Sequence, residues 1–125
     1  MLRWCPAVRV PLRTVGVFDL VDGVAAAFAA DGPLSASRPG LRPRPGQLAM
    51  ALAVAQALQA GEHLAVEAGT GIGKTFAYLV PVLLSGQRAL LSTATQALQD
   101  QLFTRDIPAV SRALGLPVRV ALLKG

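Results

Sequence analysis

The chain predicts an α/β fold, with a parallel sheet flanked by helices and preceded by a short helix and a Pro/Arg-rich linker; three observations carry that prediction. Short apolar runs at 63–67, 88–93 and 117–123 have the length and composition of buried strands. Stretches with apolar residues three and four apart lie between them, so a right-handed crossover would make successive strands parallel. Between the first strand and the helix after it sits a glycine-dense loop, Glu67-Ala68-Gly69-Thr70-Gly71-Ile72-Gly73-Lys74-Thr75.

Taken in order, residues 1–16 carry Arg3, Arg9 and Arg13 with no acidic residue, and Pro6 and Pro11 interrupt any helix. They read as a disordered extension. From Val17 to Ala30, Phe18, Val21, Ala25 and Phe28 recur at helical spacing, which predicts a short amphipathic helix ending at Asp31-Gly32-Pro33. Residues 33–45 hold four prolines and three arginines and predict a linker rather than an element, completing a 17–45 unit. Arg38, Arg42 and Arg44 suit either phosphate contact or plain solvation.

The domain proper is expected over 46–125. Gly46 to Ala60 predicts a helix with Leu48, Leu52, Ala55 and Leu58 on its buried stripe and Gly61 as C-cap. His63 to Glu67 is the first expected strand, with His63 as a strand-edge residue. Lys74 to Ser85 predicts a helix with Phe76, Leu79, Val80 and Leu83 at helical spacing, bent late by Pro81 and ended by Gly86. Arg88 to Thr93 is the second expected strand. Ala94 to Phe103 predicts a helix, and Asp106, Pro108, Val110, Leu114 and Gly115 mark a further capped helix. Pro117 to Leu123 is the third expected strand.

The loop has the layout of a phosphate-binding turn. Gly69, Gly71 and Gly73 let the backbone curl so that successive amides face a polyphosphate. A helix starting near Gly73 aims its unpaired amides and positive dipole end at the same anion, Lys74 reaches the outer phosphates, and the Thr75 hydroxyl suits Mg²⁺. The strict pattern wants glycine where this chain has Ala68.

Bulk numbers bound the rest. At 125 residues, 53% hydrophobic and 15% charged, the chain is globular and one domain is its ceiling. The low charge suggests apolar faces that something else covers. Net charge is +5, with six of the twelve Lys and Arg before residue 45, which favours a polyanionic partner. One cysteine, Cys5, excludes a disulfide scaffold. No apolar run reaches the roughly 18 residues of a membrane helix, so a cytoplasmic protein is expected, without membrane contact.

Arg44-Pro45-Gly46-Gln47-x-x-Met50, VEAGTGIGKT (66–75), AYLVP (77–81) and LLSTATQALQDQL (90–102) together resemble the start of a DinG/XPD-type superfamily 2 ATP-dependent DNA helicase, over about residues 28 to 125. In that family alanine at position 68 is ordinary. The resemblance implies an incomplete RecA-like P-loop domain. It makes Arg44 and Gln47 a Q-motif that reads adenine, and Ala68, Gly69, Thr70, Gly71, Ile72, Gly73, Lys74 and Thr75 the ATP-phosphate site, with Lys74 catalytic and Thr75 on Mg²⁺. Thr93, Thr95, Gln96 and Gln99, with Ser92, resemble the segment that holds the backbone of single-stranded DNA; short polar groups at a helix start form a charge-free phosphate seat.

The resemblance further implies 5'-to-3' polarity and a role in DNA repair. Its iron-sulfur cysteines, acidic Mg²⁺-holding segment and second RecA-like domain are not among these residues. A truncated helicase is therefore expected, whose missing remainder is its partner and which does not hydrolyse ATP usefully by itself. The alternatives are a small non-catalytic nucleotide- or nucleic-acid-binding module and, third, a small-molecule P-loop kinase.

Overall fold

The computed structural model describes residues 19–38 and 42–124. The expected extension over 1–16 and the start of the first helix at Val17 lie outside them. Among the described residues the molecule is built of helices joined by irregular segments.

Helix α1 (Leu20–Ala27) begins where the Asp19 carboxylate accepts hydrogen bonds from the Val21 and Asp22 amides, at 2.8 and 3.3 Å, which satisfies donors the helix itself cannot pair. It buries Leu20, Val24 and Ala27 and stops three residues short of the expected end. Residues 33–45 were expected to form no element, yet Pro33–Ser37 is a short helix, α2. Pro33 at its first turn loses no bond there, and Leu34 is buried. Gly32 makes the tight entry possible: a Cβ there would lie 2.8 Å from the Ala27 carbonyl oxygen.

Helix α3 (Pro45–Ala60) runs as expected to Gly61, whose φ of 66° is the left-handed conformation that glycine adopts at a helix end. Its buried face differs from the expected stripe. Gln47, Met50, Ala51, Val54 and Ala55 are buried, while Leu48, Leu52 and Leu58 pack at the margin of the core. Helix α4 (Lys74–Ser85) has the expected bounds, runs through Pro81 to Ser85 and closes at Gly86.

The two helices expected after residue 94 are one continuous run. Helix α5 (Gln96–Gln101) passes through a π-helical segment, Leu102–Asp106, into α6 (Ile107–Leu114). The Ile107 amide bonds to the Leu102 carbonyl, the five-residue step of a π turn. That widening sits just before Pro108, whose ring would crowd the carbonyl four residues back in a regular helix. Asp106 does not cap α6; its side chain is used elsewhere.

The parallel sheet is not present. Segments 62–69, 87–93 and 116–124 form no strand, and no ladder hydrogen bond joins them among the described residues. Several of their apolar side chains are open, with Leu90 65% and Leu123 76% exposed, while Ala68 and Leu91 pack at the margin of the core. Strand composition expresses itself only when a neighbouring backbone takes up the amides and carbonyls and both faces are covered. Here the helices cover one another instead. Helix α3 packs along α4 with α1 across both, and α6 joins α2 to α4. The core is Leu20, Val24, Phe28, Leu34, Met50, Val54, Leu79, Val80, Leu102, Ile107 and Val110 with small alanines between them.

Candidate functional site: a phosphate-type loop between α3 and α4

The loop from Ala68 to Gly73 leads directly into α4, so Lys74 and Thr75 occupy that helix's first turn. Gly71 and Gly73 both take positive φ, 81° and 80°, which a side chain would strain. Residues 69–73 donate no backbone hydrogen bond within the described chain. Lys74 is exposed and Thr75 half-buried, while Ile72 packs on the core and anchors the loop. Free amides, a helix start and a lysine are a donor set for an anion.

The start of α3 closes on this loop. A Cβ built on Gly71 would lie 3.5 Å from Arg44 Nη1, and one on Gly46 3.9 Å from Ile72 Cγ2, so the Arg44 guanidinium and the first turn of α3 stand at the loop. Gln47 is buried, and its Nε2 donates to the Gly73 carbonyl at 3.1 Å. The same carbonyl accepts the Ala77 amide at 3.2 Å, the first bond of α4. The expected nucleotide residues Arg44, Gln47 and Ala68 to Thr75 are thus assembled in one place, from segments 26 positions apart at Gln47 and Gly73.

Tyr78 belongs to this neighbourhood and was not singled out in the sequence. Burial, mainly, with the Asp106 carboxylate adding to it, raises its phenol above the ordinary value, and the Thr75 hydroxyl beside it pulls the other way. Its three-residue distance from Thr75 on one helix was the available signal. Asp106 is itself buried, accepting from Gln101 Nε2 and Arg105 Nε, each at 3.0 Å. Arg38 stacks over the Phe76 ring, 5.7 Å from its centroid, on an open cleft of about 330 Å³ that Arg112 also lines.

The expected DNA-contact residues gather at the start of α5. Thr95 caps the helix by accepting the Leu98 amide at 3.2 Å, and Thr93 Oγ1 donates to the Thr95 carbonyl at 3.1 Å. Gln99 Nε2 donates to the Leu123 carbonyl at 2.8 Å, which commits that amide to the chain itself, while Gln96 is exposed. Lys124 pairs with Asp100 at 3.2 Å across the same surface.

No group of three His, Cys, Asp or Glu side chains suited to a metal occurs among the described residues. Thr75, at the loop's exit, has a hydroxyl of the kind that would serve a Mg²⁺ arriving with a nucleotide's phosphates. No described helix is long and apolar enough to cross a membrane.

The profile of the DEAD/DEAH box helicase family matches residues 48–124, more than half of the chain. The chain belongs to the DEAD/DEAH box helicase family. Within it the similarity is to DinG-type helicases. The chain is 54% identical over 98 residues to the ATP-dependent DNA helicase YoaA of Escherichia coli (strain K12), covering 78% of this chain and 15% of that protein. It is 50% identical over 107 residues to the ATP-dependent DNA helicase YoaA of Haemophilus influenzae, covering 86% of this chain and 17% of the relative. It is 49% identical over 90 residues to the ATP-dependent helicase DinG of Mycobacterium tuberculosis (strain ATCC 25618 / H37Rv), covering 66% and 14%. This helicase-family chain therefore spans about one sixth of the length of such relatives. No solved structure matches the chain.

Proposed function

We propose that the chain forms the ATP- and DNA-binding start of an ATP-dependent DNA helicase, holding the triphosphate on residues 68–75 beside Arg44. The observation that carries this reading is the convergence of Arg44, Gln47, Gly71, Gly73 and Lys74 at the entrance of one helix. Lys74 places its ammonium on the outer phosphates, Thr75 contributes a hydroxyl to Mg²⁺, and the Arg44 guanidinium, which stands at Gly71, helps to hold the nucleotide. Single-stranded DNA is assigned to Thr93, Thr95 and Gln96, where a capped helix start offers hydroxyl and amide groups to phosphates, with Gln99 joining them only on release of its bond to the Leu123 carbonyl. Unwinding with 5'-to-3' polarity and a part in DNA repair are proposed from the resemblance to the DinG/XPD type, and a cytoplasmic location is part of the same proposal.

These residues are assigned binding without turnover at a helicase's rate, because phosphoryl transfer also needs an acid to hold the metal and positive charge on the transition state. An ATPase rate in the purified chain equal to that of a whole helicase would contradict that assignment. Binding itself is tested by the melting temperature with and without Mg²⁺ and ATP. The gain with nucleotide should vanish in Lys74→Ala, and a gain of equal size in the variant removes Lys74 from the site.

A further inference from the structure

Arg38, which ends α2, and Arg112, in the last turn of α6, line one open cleft of about 330 Å³ together with Ser37, Phe76, Ala109 and Ala113. The cleft lies where α6 packs against α2 and α4. Neither arginine has a carboxylate there. Among the described residues the cations paired with acids are Arg105, with Asp106, and Lys124, with Asp100.

Each lining group narrows what the cleft would hold. The Arg38 guanidinium lies over the Phe76 ring, 5.7 Å from its centroid. A ring attracts a cation but offers it no lone pair, so Arg38 is held in place while its N–H groups stay available. Ala109 and Ala113, one turn apart on α6, end in methyl groups and leave room beside Arg112. Ser37 gives its hydroxyl proton to the Leu34 carbonyl at 2.8 Å. The side-chain donors left for a ligand are those of two guanidiniums, whose planar forks match the oxygens of a phosphate or carboxylate.

The shape of the cleft favours a phosphate in a polymer. A small anion in an open cleft keeps water on its outer side and is held weakly, whereas a strand continues past and is held elsewhere too. The walls are helices, which pair their own backbone groups, so an extended peptide finds no sheet edge to join. A nucleic-acid backbone needs no edge, because guanidinium contacts to phosphates are indifferent to sequence.

We propose that Arg38 and Arg112 hold a phosphodiester group of single-stranded DNA in the cleft between α2, α4 and α6, apart from the seat at the start of α5. This deepens the DNA-binding reading above and rests on it for the ligand. Loss of either guanidinium should weaken binding roughly two- to fivefold, as for an exposed ion pair. It should also lower the slope of log affinity against log salt by about 0.7, the share of one phosphate contact on a single strand.

The test uses the full chain, as wild type, Arg38→Gln and Arg112→Gln, with fluorescein-labelled oligo(dT) followed by anisotropy across a salt series. Loss of affinity and of slope in both variants supports the proposal. Should Arg38→Gln not fold, Arg112→Gln, whose side chain is exposed, decides alone. Wild-type affinity and slope in the variants overturn the proposal and leave the DNA reading standing, while a wild-type chain that binds no oligo(dT) removes both. Titration with Mg²⁺ and ATP and with polyglutamate completes the set. Weakened ATP binding with DNA binding intact makes the cleft part of the nucleotide site and overturns the proposal. Polyglutamate bound as tightly as oligo(dT), and lost in the same variants, makes it a seat for an acidic protein segment and overturns it as well.

Discussion

Thr75 and Tyr78 stand nearly one turn apart on α4, and the phenol's environment sets a testable titration. Its pKa is raised by burial and by Asp106. Tyr78 is the chain's one tyrosine, so absorbance near 295 nm reports it alone. The midpoint should lie above the ordinary value of about 10. Because the folded value exceeds the unfolded one, the half-buried neutral ring contributes stability that is fully present below the unfolded value and is lost as pH rises through the folded value. A midpoint at or below the free value would mean that the ring is neither sheltered from solvent nor near the Asp106 carboxylate. At the same scale, Gly73→Ala should cost the loop its geometry through both strain and collision with Gln47, so the gain in melting temperature with Mg²⁺ and ATP should shrink, and a gain of wild-type size would show that the loop tolerates a side chain there. The placing of the loop was legible: its glycines, Lys74 and Thr75 stand out by spacing, and the structure puts them at the entrance of α4. The contact of Gln47 with Gly73 was not, since it joins segments 26 residues apart, and no local pattern encodes that distance.

Elements followed the sequence where punctuation is local. Gly61, Gly86 and Gly115 end α3, α4 and α6 in the left-handed conformation, each at an expected stop. The face that α3 buries was misjudged because the helix is apolar nearly all round; neighbours, not periodicity, choose between Leu48-Leu52 and Met50-Val54. Helix α2 was missed because proline and serine argue against an element unless something docks it, and Leu34 does. Leu34→Ala should therefore destabilise the chain by about 3 kcal/mol in urea unfolding, within the usual range for a buried leucine; a cost near zero would detach α2 from the core. Thr95→Ala separates two roles at the start of α5. Loss of the cap should cost about 1 kcal/mol of stability, and if Thr95 also seats a phosphate, affinity for single-stranded DNA falls with it. Lower stability with unchanged DNA affinity would leave Thr95 as a cap only.

At the scale of the whole molecule, the expected sheet failed for a physical reason: strand-like segments 62–69, 87–93 and 116–124 have no paired neighbour among the described residues, and Leu64, Val66, Leu90, Val120 and Leu123 meet solvent. Such surface promotes association. Replacing Leu90 and Leu123, the most exposed of the large apolar side chains, by lysine should lower light scattering at a given concentration without lowering the melting temperature; unchanged scattering would show that these segments are not the sticky surface. The helical core meanwhile holds α3 against α4 and so keeps Arg44 and Gln47 at the loop. Amide chemical-shift mapping of the ¹⁵N-labelled chain with Mg²⁺ and ATP reads out whether that arrangement holds a nucleotide. The largest shifts should fall at Gly69 to Thr75 and at Arg44 to Gln47, and disappear in Lys74→Ala. Shifts absent from the loop, or concentrated elsewhere and indifferent to Lys74, would contradict it.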